Sequence, residues 1–292
     1  MPRSETTALP SPLVETDWLA AHVDAPDLRI LDCSVVRQDY PDGSYSFVSG
    51  QAEWAAAHVP GSIHVDVLEE LSDPQAATSL TMPSIPAFAA LMAARGVGTG
   101  TRVVLYDSSN HAWAARVWWM LRTCGFDDAA VLNGGLGKWR AEGRPVCNEA
   151  SAYPPASFTP APRPGLMATK ADVLASLDDP GAQRVYALPP AIFSGAVRIF
   201  PRPGRIPRSV NVHCDTLLDP QTGAYLDPAS LRALFDEAGV LAADRVITYC
   251  GGGIAASSDA LALVAIGMGE VAVYDGSMTE WTADPDTPME TD

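Results

Sequence analysis

Cysteine is sparse: 292 residues carry five, Cys33, Cys124, Cys147, Cys214 and Cys250. A small, odd, scattered set is no disulfide framework and fits a reducing cytoplasm. Basic residues are also few, 19 Lys and Arg against 35 Asp and Glu, a formal charge of −16. Such a chain lacks the cationic face of a nucleic-acid binder. An anionic small substrate would need a locally positive site on this acidic body. No uncharged apolar run reaches about 18 residues, so neither a membrane span nor a membrane partner is expected. Met1–Ala8 has no apolar segment and does not read as a secretory signal. There is no C-x-x-C pair, no Gly-Lys-Ser/Thr after a glycine loop and no metal-ligand spacing around His64 or His213. A thioredoxin-like site and a Walker loop are thereby excluded, and no metal or cofactor is expected.

What is present is a globular composition, 47% apolar and 18% charged, and an internal repeat. His58-Val59-Pro60-Gly61-Ser62-Ile63 parallels Arg205-Ile206-Pro207-Arg208-Ser209-Val210. Arg95-Gly96-Val97 with the strand Arg102–Tyr106 parallels Ala238-Gly239-Val240 with Arg245–Tyr249. Asn133-Gly134-Gly135 through Trp139 parallels Asp275-Gly276-Ser277 through Trp281. The offset runs from 142 residues (Asn133 to Asp275) to 147 (His58 to Arg205). A domain-sized unit repeated once is a tandem duplication. The reading is an N-terminal domain over 1–147, a proline-rich extended linker over 148–165 and a C-terminal domain over 166–292.

In each half, short apolar strands alternate with helical segments. Strands are expected at Leu28–Asp32, Val103–Tyr106 and Ala129–Leu132, and again at Arg245–Tyr249 and Val271–Tyr274. Helices are expected at Trp113–Thr123 and Ile254–Ile266. This is an α/β pattern of mainly parallel sheets flanked by helices. Ligands of such sheets bind beyond the carboxyl ends of the strands. There the second half carries Cys250, then Gly251, Gly252 and Gly253, then a helix opening with Ile254, Ala255 and Ala256. Glycines let backbone N–H groups turn inward, and the helix N-terminus adds partial positive charge. Both favour a thiolate or a persulfide anion on Cys250. A buried cysteine beside an anion-binding glycine loop remains the plainer alternative. A phosphatase with a C-x5-R loop is disfavoured, because the arginine position holds Ala256. At the matching turn of the first half stands Asp107. A carboxylate cannot accept sulfur, so that turn is expected to be inert, with one site in the cleft between the halves.

These residues resemble those of the rhodanese family over nearly the whole chain, from about Leu13 to Trp281. The arrangement resembles that of the thiosulfate and 3-mercaptopyruvate sulfurtransferases. The resemblance implies two tandem rhodanese-like domains, the first catalytically inactive. It implies that a small anionic donor passes sulfur to Cys250, and that the persulfide passes it on to cyanide, a small thiol or thioredoxin. The N–H groups from Gly251 to Ala256 would form the anion cradle. The loop looks more like the Cys-Gly-Ser-Gly of mercaptopyruvate enzymes than the cationic loop of thiosulfate enzymes. Mercaptopyruvate is therefore favoured over thiosulfate, although Gly252 replaces the serine credited with a proton relay.

The family's donor-binding arginines would fall at Leu188 and Ile192, so Arg198 or Arg202 is the expected clamp. Asp66, just after the first Pro-Gly turn, is a further candidate for the cleft. His58 is expected to be a structural turn residue, and Trp113, Trp118 and Trp119 to serve packing. The four other cysteines read as ordinary thiols. The missing arginines keep one alternative open, a persulfide carrier loaded by a partner protein.

Overall fold

A computed structural model describes residues 9–292; the segment read as lacking a signal, Met1–Ala8, lies outside the described residues. The chain forms two compact units. The first comprises residues up to Ser72, Pro83–Pro162 and Gln221–Ala224. The second comprises Asp73–Met82, Arg163–Pro220 and Tyr225–Asp292.

The first unit runs β1 (Leu13–Val14), α1 (Thr16–His22), β2 (Leu28–Asp32), β3 (Val35–Asp39), β4 (Tyr45–Ser49), α2 (Gln51–Ala56), β5 (Ile63–His64), α3 (Ile85–Ala94), β6 (Arg102–Tyr106), α4 (Ala112–Thr123), β7 (Ala129–Leu132) and α5 (Gly135–Ala141). Its sheet is parallel, in the order β1-β7-β6-β2-β5; β3 and β4 form a separate antiparallel ribbon. The second unit runs β8 (Met167–Ala168), α6 (Lys170–Ser176), β9 (Ala182–Tyr186), α7 (Pro190–Phe193), β10 (Ser209–Asn211), α8 (Pro228–Glu237), β11 (Arg245–Tyr249), α9 (Ile254–Ala265), β12 (Val271–Tyr274) and α10 (Ser277–Ala283). Its parallel sheet has the order β8-β12-β11-β9-β10. Strand for strand, this is the order of the first sheet.

The inner strands of both sheets are largely buried, as apolar runs in a sheet covered on both faces must be, whereas the edge strands β5 and β10 are half-buried and the β3–β4 ribbon is mostly exposed. Every residue of β2, β6, β7 and β12 is buried. Each core closes on a tryptophan whose indole also finds an acceptor: Trp139 Nε1 donates to Pro145 O at 2.7 Å and Trp281 Nε1 to Pro288 O at 2.9 Å. A buried indole N–H without a partner would cost about 1–3 kcal/mol. Among the described residues no helix is long and apolar enough to cross a membrane.

The stretch expected to be a linker is fastened to the first unit as far as Pro162. The Tyr153 hydroxyl donates to Gly61 O at 2.7 Å and accepts from Ile30 N at 3.1 Å. Ala156 N and Ala161 N donate to Ala93 O and Cys124 O, both at 2.8 Å. The prolines keep this segment extended, and side-chain and backbone hydrogen bonds hold it down.

Candidate active site

Cys250 follows the last residue of β11, and its turn is built from the ground up by three supports. First, β11 is the central strand, paired in register with β9 and β12. Its last residue, Tyr249, is fully buried; the hydroxyl donates to Ser209 Oγ at 2.8 Å and accepts from Ile206 N at 3.2 Å. Second, Ser277 begins α10 at φ +46°, and its hydroxyl accepts from Cys250 N at 3.1 Å and Gly253 N at 3.2 Å while donating to Tyr274 O at 2.6 Å. Third, α10 takes up the loop carbonyls. Met278 N donates to Cys250 O, Thr279 N to Gly251 O, both at 3.0 Å, and Thr279 Oγ1 to Gly251 O at 2.7 Å.

Gly253, at φ +78°, turns the chain into α9. The N–H groups of Gly251, Gly252, Ile254, Ala255 and Ala256 meet no acceptor among the described residues. These are the first donors of a helix and the loop before it, where an anion is the natural partner. Cys250 is 2% exposed. A Cβ on Gly251 would come 3.3 Å from Phe200 Cζ, so that ring lies close over the loop. The site therefore offers a recessed sulfur, unpartnered N–H groups and an aromatic wall, with no cationic side chain in the loop.

Two supports were not anticipated from the sequence. Ser277 had a signal: it stands where the first copy has Gly135, also at positive φ (+53°), so the hydroxyl is an addition. Phe200 had none beyond its place between Arg198 and Arg202.

Arg202 requires a correction. Its guanidinium donates to Thr282 O, Pro285 O, Trp281 O, Asp284 O and Thr287 O, and to the Thr287 hydroxyl. The carbonyls at the end of α10 lack helical N–H donors, and a fixed five-donor fork satisfies several of them at once. No donor is left for a substrate. Arg205 pairs with Glu290 at 2.5 Å and Asp292 at 2.7 Å, and Arg208 donates to Leu177 O. Arg198 is exposed and, among the described residues, donates only to the nearby Phe200 and Pro201 carbonyls. Asp66 lies in the first unit and caps a turn, accepting from Leu68 N at 2.9 Å and Glu69 N at 3.0 Å.

Burial pushes the Cys33 and Cys214 thiols well up, with Asp32 and Asp259 respectively adding to the effect, and pushes Cys124 up to about 12. These three remain protonated thiols, as a desolvated sulfur should.

Comparison with known proteins identifies the fold and the family. The model of the rhodanese-like domain matches residues 15–142 and 193–284. The 3-mercaptopyruvate sulfurtransferase of Escherichia coli K12 is 32% identical over 281 residues, covering 95% of this chain and 97% of that protein. The thiosulfate sulfurtransferase of Bos taurus is 34% identical over 290 residues, covering 94% of each. The crystal structure of SseA, a 3-mercaptopyruvate enzyme from Escherichia coli, superposes with a TM-score of 0.80 at 31% identity, over 91% of this chain and 98% of that one. With both halves matched and relatives aligned nearly end to end, this chain belongs to the rhodanese-like domain family.

Proposed function

We propose that this chain is a sulfurtransferase of the 3-mercaptopyruvate/thiosulfate type, with Cys250 as its nucleophile. The observation that carries the reading is the recessed Cys250 sulfur beside N–H groups that lack an acceptor. The Cys250 thiolate attacks the donor's sulfur. With 3-mercaptopyruvate the C–S bond breaks and its electron pair leaves as the pyruvate enolate, which takes a proton. With thiosulfate the S–S bond breaks and sulfite departs. Either way a persulfide remains on Cys250, its negative charge held by the N–H groups of Gly251, Gly252, Ile254, Ala255 and Ala256; Gly253, expected in the cradle, instead gives its N–H to the Ser277 hydroxyl. A thiol or cyanide then removes the outer sulfur and restores the thiolate. Thioredoxin is a candidate thiol of this kind.

3-Mercaptopyruvate is the favoured donor because the loop presents backbone N–H groups and glycines rather than cations to a dianion. Arg198 is the guanidinium left to meet the donor's carboxylate. The recessed sulfur favours a small donor over direct loading by a protein surface.

The test compares both donors, with cyanide or dithiothreitol as acceptor, and follows intact mass after donor treatment. The unsubstituted chain is expected to gain one sulfur, located on Cys250, and to turn over. Cys250→Ser is expected to lose turnover by at least about 10³-fold and to gain no sulfur. Undiminished turnover by Cys250→Ser overturns the assignment. An adduct that forms only with a protein donor replaces the enzyme with a sulfur carrier.

A further inference from the structure

Cys147 stands beside a histidine. It lies just after α5, facing the turn that begins at His58, and the two residues exchange both backbone hydrogen bonds: His58 N to Cys147 O at 2.8 Å and Cys147 N to His58 O at 3.0 Å. That bridge brings Cys147 Sγ to 3.3 Å from His58 Nε2. The imidazole is fully buried and stacked on Trp54, ring centroids 4.4 Å apart. Its Nδ1 lies 2.7 Å from Trp54 O. A carbonyl only accepts, so Nδ1 carries a proton and donates it there. Nε2 therefore faces the sulfur in one of two ways. Bare, it takes the thiol proton; protonated, it donates to the thiolate and to Glu149 O, 3.2 Å away. Both activate Cys147. Nucleophile, base and a third group that orients the base are the marks of an activated thiol.

The internal repeat supplies an independent observation. At the equivalent place in the second unit, Arg205 and Glu290 exchange backbone bonds of 2.9 and 3.0 Å. Arg205 stacks on Phe193, 4.3 Å from the ring centroid, and donates to Phe193 O at 3.3 Å. Its guanidinium meets the Glu290 carboxylate at 2.5 Å. Aromatic ring, carbonyl, bridge, cation and anion correspond one for one. In that frame His58 holds the cation's place and Cys147 the anion's.

We infer that Cys147 and His58 form a second reactive thiol site, one that takes up small disulfides by thiol–disulfide exchange. Cys147 is only half-buried, between the exposed Val146 and Asn148, so a small disulfide can reach it. His58 Nε2 holds the thiol proton while Sγ attacks one sulfur of the disulfide. The S–S bond breaks as the Cys147 mixed disulfide forms. The departing thiolate leaves with the bonding pair and takes up the proton, so one sulfur is reduced as Cys147 is oxidised. The site does not depend on Cys250 or on the sulfurtransferase reading.

The experiment treats full-length Cys250→Ser protein with glutathione disulfide and locates adducts by peptide mass spectrometry. The expected result is a single adduct on Cys147, formed ahead of any on Cys33, Cys124 or Cys214. Between about pH 8.5 and about pH 6 the rate on free cysteine falls about tenfold per unit, whereas that on Cys147 is expected to fall less than about tenfold in all. His58→Gln, if folded by circular dichroism, is expected to slow the reaction about tenfold or more at the lower pH and to restore the ordinary profile. Should it not fold, the pH profile of Cys147 decides alone. A Cys147 rate that tracks free cysteine, adducts that appear first on the buried cysteines, or a folded His58→Gln that reacts as fast would overturn the site.

Discussion

The turn after β6 and the turn after β11 have the same ancestry and opposite contents. In the first, Asp107 fills its own cradle. Its carboxylate accepts from Ser109 N at 2.8 Å, His111 N at 3.1 Å and Ala114 N at 3.0 Å, with the Ser109 hydroxyl at 3.1 Å. In the second, Cys250 stands at the strand end, and beyond it only the Gly253 N–H, which donates to Ser277 Oγ, has an acceptor among the loop and first-turn donors within the described residues. Even the brace is shared: Leu136 N donates to Asp107 O at 3.1 Å as Met278 N does to Cys250 O at 3.0 Å. One copy carries its anion as a side chain; in the other, the proposed reaction would bring one. A covalently supplied carboxylate stabilises the fold, whereas an empty cradle favours binding.

The sharpest way to break this comparison is stability. Asp107→Ala removes a buried acceptor from four donors and is expected to cost about 3 kcal/mol in urea unfolding. Cys250→Ala, which removes no cradle acceptor, is expected to cost about 1 kcal/mol or less. Equal losses would mean that the two turns are held alike.

The helices behind the turns differ as well. Asp259 on α9 is fully buried, and neither carboxylate oxygen has a hydrogen-bond partner; the corresponding position on α4 is Val117, equally buried. Burial alone pushes the Asp259 carboxyl well above its ordinary range. Between the unfolded value and the higher folded one, the folded chain binds one proton more. Stability is thus fully present at low pH and falls as pH rises through that window, by about 1.4 kcal/mol per unit. Asp259→Asn is expected to flatten this slope and to gain on the parent as pH rises from about 5 to about 8. Parallel slopes for the two proteins would contradict it.

Ser277 tests the brace itself. Replacing it by the first copy's residue, Ser277→Gly, keeps the positive φ comfortable and removes the CH2OH side chain. Cys250 N and Gly253 N then lose their acceptor; kcat/KM is expected to fall about tenfold, and unfolding to lose about 1–2 kcal/mol after the relief of positive-φ strain. An unchanged kcat/KM would show that α10's backbone contacts suffice to position the turn.

Much of this was legible in the sequence because the fold was written twice. Strand ends at Tyr106 and Tyr249 and the helices after them follow from apolar runs recurring at an offset of 142–147 residues; the sheet order shared by the two copies came from the structure. Cys250 stood out by its three glycines. Side-chain commitments were not legible. Arg202 and Arg198 are alike as letters, yet one is absorbed by the carbonyls at the end of α10 and the other is exposed, because only folding brings residues 281–287 against Arg202. Cys147 carried no local mark either. What distinguishes it lies 89 residues away at His58, across a backbone bridge. The proline-rich stretch after it read as an extended linker, but its anchoring through Tyr153 depends on Ile30 and Gly61, which no local pattern announces.

The smallest expected effect concerns how each turn enters its helix. Both do so through a left-handed residue, Gly253 at φ +78° and His111 at φ +66°. A residue with a Cβ is strained there by about 1 kcal/mol, so Gly253→Ala is expected to destabilise by about that amount. The reciprocal change, His111→Gly, relieves the same strain but gives up the contact of His111 Nε2 with Gly223 O at 2.6 Å, and leaves a cavity where a fully buried ring stood. A net loss is therefore expected, not the gain that backbone preference alone would give. If thermal unfolding showed His111→Gly to be the more stable protein, the ring would be a passenger in that turn. A loss would mean the first copy accepts backbone strain to hold the Gln221–Ala224 segment in its unit, a task that the glycine of the second copy does not have.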